Sequence, residues 1–153
     1  MAKTISISIG KADVLDEVAK TSAYIGSKKV EQKEGAYDRI FVTTEDRQML
    51  DRFYSEGRNA LTNLLRRFIV GASNDSSDDY KLELSMSSRF DEAITESMKG
   101  SMTAFLVNYI IGKWCEIANR DDTKVYADTA TAMLEEVKEK AFYKTKPSRK
   151  SPI

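Results

Sequence analysis

The periodicity of this chain predicts a mainly α-helical fold: a four-helix bundle-like domain with two short β-strands and an extended C-terminal arm. Three observations carry that expectation. Apolar residues recur at three- and four-residue spacing from Leu50 to Ile69 and again from Ile94 to Ile117. Two runs, Lys3 to Ile9 and Tyr80 to Met86, alternate with period two. Both prolines, Pro147 and Pro152, fall in the last ten residues beside four positive charges and no negative one. Residues 1–143 are therefore expected to form a single helical domain, and residues 144–153 a basic arm.

Each element follows from its spacing. In Lys3 to Ile9, Ile5, Ile7 and Ile9 alternate with Thr4, Ser6 and Ser8, the pattern of a half-buried strand that Gly10 ends. From Lys11 the period becomes helical through Ala12, Leu15, Val18 or Ala19, Ser22 and Ile25, and Gly26 stands where a C-terminal cap belongs. Residues 27–37 are polar and charge-mixed, which reads as an exposed loop or arm, and Arg39 to Val42 is too short to classify.

Thr43 or Thr44 can cap a second helix, with Glu45 and Asp46 favourably placed at the positive end of its dipole. That helix is expected from Thr44 to Val70, closed by Gly71, with Arg52, Arg58, Arg66 and Arg67 off the apolar stripe. After a polar, acidic turn the second strand places Tyr80, Leu82, Leu84 and Met86 on one side. It can pair with the first, but two strands are marginal alone. Each needs a helix to cover it or a strand from a neighbouring subunit.

Ser88 and Asp91 have the spacing of a capping box for the third helix. Between Ala104 and Ile111 this helix is apolar nearly all round, so it belongs at the centre of the core. Its Gly100 and Gly112 either mark places where another helix approaches closely or simply weaken or kink it. A tight break at Asn119 to Asp122 then leads into a fourth helix along Tyr126, Ala130, Met133, Val137 and Ala141, antiparallel to the third.

Composition narrows the chemistry. The 153 residues contain 24 basic and 24 acidic side chains, no histidine and one cysteine. Zero net charge argues against a protein that coats nucleic acid electrostatically. Without histidine there is no Ser-His-Asp or Cys-His site, and the commonest metal ligand is missing. A lone cysteine makes no internal disulfide and suggests a reducing compartment. The N-terminus lacks the pattern of a signal peptide. The longest apolar stretch, interrupted by Asn108, is far short of the ~20 residues of a membrane span.

The remaining candidates have plain structural readings. Asp75, Ser77 and Asp79 occupy the first, third and fifth positions of a calcium loop, but Tyr80 and Met86 stand where glycine and glutamate are required. Asp91, Glu92 and Glu96 suit the first turn of a helix better than acid–base catalysis. Cys115 beside Trp114 reads as buried and inert. Asn108 is a candidate for fixing the register of a core or subunit contact. No phosphate loop or nucleophile elbow is present. The expectation is no enzyme activity, no catalytic residues, no metal and no cofactor. The arm residues Lys144, Lys146, Arg149 and Lys150 read either as a solubilising terminus or as a partner-docking arm, and docking is preferred.

The size, the long second helix, the apolar third helix with Phe-Leu-Val-Asn-Tyr-Ile-Ile-Gly-Lys-Trp and the closing helix with its arm, Glu135 to Ile153, resemble the head–tail connector proteins of tailed bacteriophages. These are the neck adaptors beneath the portal. The isoleucine-serine leader departs from their usual pattern. The resemblance implies a homo-oligomeric ring of about a dozen copies, an arm reaching into the portal, contact with tail or neck proteins, and proximity to DNA. It also implies a virion location after assembly in the host cytoplasm, with no membrane partner. The competing expectation is a small helical nucleic-acid-binding or regulatory module, cytoplasmic, using Arg66, Arg67 and the arm lysines. An enzyme working with carboxylates alone ranks last.

Overall fold

A computed structural model describes residues 2–30, 46–72, 79–118 and 120–144. The order is β1 (Lys3–Ile9), α1 (Lys11–Val30), α2 (Arg47–Leu64), β2 (Ile69–Ala72), β3 (Tyr80–Met86), a 3-10 turn (Glu92–Ile94), α3 (Thr95–Ala118) and α4 (Arg120–Ala141). The expected mainly helical class holds, with four helices among the described residues and a small sheet beside them.

The two predicted strands pair with each other, antiparallel and in unbroken register from Lys3 opposite Met86 to Ile9 opposite Tyr80. Their alternation is also their burial pattern. Ile5, Ile7, Ile9, Tyr80, Leu82, Leu84 and Met86 enter the core, while Thr4, Ser6, Ser8, Lys81 and Glu83 face outward. α3 lies against β1 on the core side.

The second helix stops at Leu64 instead of reaching Val70. Phe68 N–H bonds to Leu65 carbonyl at 2.8 Å, and the chain turns into β2, a third strand on the other side of β3. Ser85 N–H donates to Phe68 carbonyl at 2.7 Å. The run from Phe68 to Ala72 is apolar, β-branched and short, so its spacing suits a helix end or a buried strand equally. The unpaired edge of β3 decides between them. Between Ile69 and Gly71 the register slips, and Val70 is left 63% exposed.

Helix termini account for the other differences. The α1 backbone continues past Gly26 to Val30, and its buried stripe is Val14, Leu15, Val18 and Ser22, with Ala12 exposed. Asp79 Oδ1 accepts from Lys11 N–H at 2.9 Å, so the first helix is capped from the far end of the acidic turn. The proposed caps Thr43 and Thr44 lie outside the described residues, and α2 begins behind Asp46, whose side chain makes no capping bond. For the third helix the cap is Asp91 alone. Its carboxylate accepts from Ala93 N–H at 3.0 Å and starts the 3-10 turn, leaving Ser88 out of the expected box.

α3 is the central helix. Met98, Met102, Phe105, Leu106, Ile110, Ile111, Trp114 and Cys115 are all buried, and α1, α2 and α4 pack around it. α4 begins at Arg120, with a single residue between it and the end of α3, and returns antiparallel along it. A β-carbon at Gly112 would lie 3.4 Å from Ala127 N and 3.6 Å from Tyr126 Cβ, so the two backbones approach there. At Gly100 nothing lies within 4 Å. Towards the other end of the hairpin, Ser101 Oγ donates to Glu136 Oε2 at 3.0 Å and accepts from Lys140 Nζ at 2.8 Å. This partly buried polar clasp fixes how far α4 slides along α3.

Arg58 is the side chain most out of place against expectation. Although read as lying off the apolar stripe, it is only 6% exposed. Its guanidinium sits 5.7 Å from the Tyr54 ring centroid and 4.9 Å from that of Tyr80. Delocalised charge and a planar face suit it to a slot between two aromatic rings.

Candidate docking surface at the root of the C-terminal arm

α4 ends in a tight turn, with Phe142 N–H and Tyr143 N–H both donating at 3.1 Å to Glu139 and Lys140 carbonyls. The chain is then sewn to the body. Lys144 forms an antiparallel bridge with Phe90, and Asp91 N–H donates to Tyr143 carbonyl at 3.2 Å. Phe90 is itself buried, and its carbonyl accepts from Lys3 Nζ at 3.1 Å. The arm therefore leaves from a fixed point where the end of β3, the start of β1 and the cap of α3 converge.

Around this point the surface combines aromatic and cationic groups. Phe142 meets Phe68 edge-on, with centroids 5.3 Å apart at 68°. The Arg67 guanidinium lies 5.5 Å from one ring centroid and 5.3 Å from the other. Phe142 and Tyr143 are each 45% exposed, and Arg66, Arg67 and Lys144 are exposed beside them. Arg67, Phe142, Tyr143 and Lys144 border a hollow of roughly 320 Å³ with Met86 and Ser87 on its wall. Half-exposed rings with a guanidinium across them form the kind of patch that anchors a protein interface: apolar area at the centre, positive charge at the rim.

Of the arm residues singled out from sequence, Lys144 is placed as the bridge residue; Lys146, Arg149 and Lys150 lie outside the described residues. Arg67 comes to the same hollow as Lys144 and is held on the Phe142 ring, while Arg66, next to it in the chain, is exposed. Sequence reasoning missed Phe68, Phe90, Phe142 and Tyr143. The adjacent Phe142 and Tyr143 at the end of an amphipathic helix, next to a basic run, were the available signal.

Asn108 is half-buried, and its amide donates to Ala104 carbonyl at 2.7 Å, one turn back in its own helix. It borders a shallow hollow between α1 and α3, together with Glu17, Glu96 and Lys99. Asp75 and Ser77 lie outside the described residues, and Asp79 serves as the cap of α1. Asp91 caps the 3-10 turn, and Glu92 reaches Lys3 at 4.0 Å. Among the described residues no cluster of His, Cys, Asp and Glu side chains has the geometry to hold a metal ion. Nor is any described helix long and apolar enough to cross a membrane.

Cys115 is fully buried. Burial, then the nearby charge of Asp122, pushes its thiol up from 9.0 to about 11. The folded chain should resist maleimide at pH 8 and react once unfolded in urea, which mass spectrometry reads directly. The thiol's folded pKa is raised, so its share of stability is complete below pH 9 and lost as pH climbs towards 11. That share is on the order of 2 kcal/mol. Urea titrations at pH 8 and pH 10.5 check the sign.

No protein-family model, curated protein or solved structure matches this chain, so its family is not shown by likeness.

Proposed function

We propose that this chain is a non-enzymatic structural assembly subunit that works by docking its C-terminal arm. The setting we propose is the neck of a tailed phage, as a head–tail connector ring of about a dozen copies joining portal to tail after assembly in the host cytoplasm. The observation that carries this reading is the anchored arm root. A terminus that only solubilises needs no fixed departure point. Here Lys144 and Tyr143 are tied to Phe90 and Asp91, and Arg67 lies across the neighbouring rings. An arm launched from a rigid point loses less freedom when it binds, because its first residues are already ordered. The exposed rings at its base extend the docking area onto the folded body.

The test is light scattering after size exclusion, on the full chain and on a chain lacking residues 145–153, each alone and mixed with a portal protein. A closed oligomer, or a portal complex weakened about ten-fold or more by the truncation, is the expected result, with unchanged far-UV circular dichroism. A strict monomer in both conditions would sink the reading.

A second reading draws on Arg67 and Lys144 bordering one hollow, with the exposed Arg66 next to Arg67 in the chain. It makes the chain a small nucleic-acid-binding or regulatory module. That reading requires duplex DNA binding that falls steeply with salt; no binding at low salt eliminates it. In a connector ring the same cations would lie near the DNA passage.

A further inference from the structure

The two edges of the sheet are built differently. β2 has four residues, slips register between Ile69 and Gly71, and follows Arg66 and Arg67. Shortness, irregularity and adjacent charge are the devices that keep a sheet edge from pairing with another chain. β1 lacks the first two. It runs for seven residues in unbroken register, contains no proline, and carries its only charge, Lys3, at its first position. In an antiparallel ladder alternate residues turn both backbone groups to the same side, so about half of β1 directs its N–H and C=O groups away from β3. Among the described residues none hydrogen-bonds to those groups.

We infer that β1 is the joint between two copies of this chain, paired antiparallel about a two-fold axis at Ser6 and joining their two three-stranded sheets into one. The strand's own sequence identifies the occupant. With Ser6 opposite Ser6 of the second copy, Ile5 faces Ile7, Thr4 faces Ser8 and Lys3 faces Ile9. Every position finds a partner. The isoleucines stay on the core side of both copies, the hydroxyls stay on the outer side, and the two Lys3 side chains sit at opposite ends. No like charges meet, and no side chain is forced to change face. The isologous geometry also closes on itself, so pairing stops at two. This inference does not rest on the assembly reading, since a head-to-tail ring can use β1 only after the pair has opened.

Sedimentation of the full chain across a concentration series tests the joint, with a dimer that dissociates on dilution as the expected result. Two paired-charge variants then identify the surface. Thr4→Glu with Ser8→Glu sets like charges opposite each other at both Thr4–Ser8 contacts, leaves the carboxylate introduced at Ser8 facing Lys81 within the sheet as in the second variant, and weakens the dimer by about ten-fold or more. Thr4→Lys with Ser8→Glu alters the same two exposed positions with opposite charges and keeps the dimer at least as tight. Circular dichroism confirms that both variants fold. A monomer at every concentration, or a dimer indifferent to both variants, overturns the joint. So does protection of β1 amides from hydrogen exchange that is independent of concentration, which would assign the edge to a segment of the same chain.

Discussion

Leu106→Ala lowers the free energy of unfolding by about 3 kcal/mol, and adding Gly57→Ala to that variant recovers about 1 kcal/mol or more. Leu106 is 0% exposed at the centre of α3. Truncating it removes buried apolar surface and leaves a space that helices packed on every side cannot fully close. Gly57 of α2 lies directly across from it. A β-carbon there would stand 2.9 Å from Leu106 Cδ2, but 3.4 Å from Tyr109 Cδ1 and 3.9 Å from Phe105 Cε1. In the parent protein, Gly57→Ala gains helix propensity and loses most of it by displacing the leucine tip, so it comes out near neutral. With that tip gone, the new methyl partly fills the vacated space. Urea unfolding of the four proteins completes the cycle. A coupling below about 0.3 kcal/mol would mean that the two helices do not meet at these residues.

Arg58→Ala costs about 3 kcal/mol, because a buried cation with two aromatic partners is replaced by a void. Arg58→Met keeps most of the volume and costs about 1 kcal/mol, since losing the stacking is offset by no longer burying a charge. Thermal and urea unfolding separate the two. A methionine variant as unstable as the alanine variant would show that the charge, not the packing, holds the slot together. The tyrosines add a pH signature. Burial raises the Tyr54 and Tyr80 hydroxyls above 10.0, and the Arg58 cation opposes that rise in both. For Tyr80 the bond with Thr62, at 2.7 Å, opposes it more strongly still. A raised pKa gives stability that is complete below pH 10 and lost above it. Removing the cation raises both hydroxyls further, so Arg58→Met should lose stability more steeply above pH 10 than the parent protein. Parallel slopes would place the guanidinium away from the hydroxyls.

The difference between what the sequence reveals and what it hides follows the range of the interactions. β1 and β3 are legible because their alternation coincides with a core on one side only. α3 is legible because its apolar positions outnumber what one face can hold. The Phe68–Ala72 run is not, because the choice between helix end and strand depends on the open edge of β3, which follows it in the chain. Arg58 looks solvent-facing by spacing alone; its slot needs Tyr80, from another element. The cap of α1 is Asp79, too remote for any local capping rule to find. At the arm, the basic run and prolines are visible as composition. The bridge to Phe90 is made by backbone atoms and leaves no signature in side-chain identity.

The sheet order also sets a timetable for the chain. β1 is the first strand to be made, yet its ladder partner within the sheet is β3, with Lys3 meeting Met86. During synthesis at roughly 5–20 residues per second, the isoleucine-serine strand waits several seconds with both backbone edges bare before its partner emerges. Closing so long a loop is slow even once both strands exist. Nascent chains on neighbouring ribosomes would hold this strand in the same exposed state, so slower synthesis or lower expression temperature bears on yield through β1 before any other element.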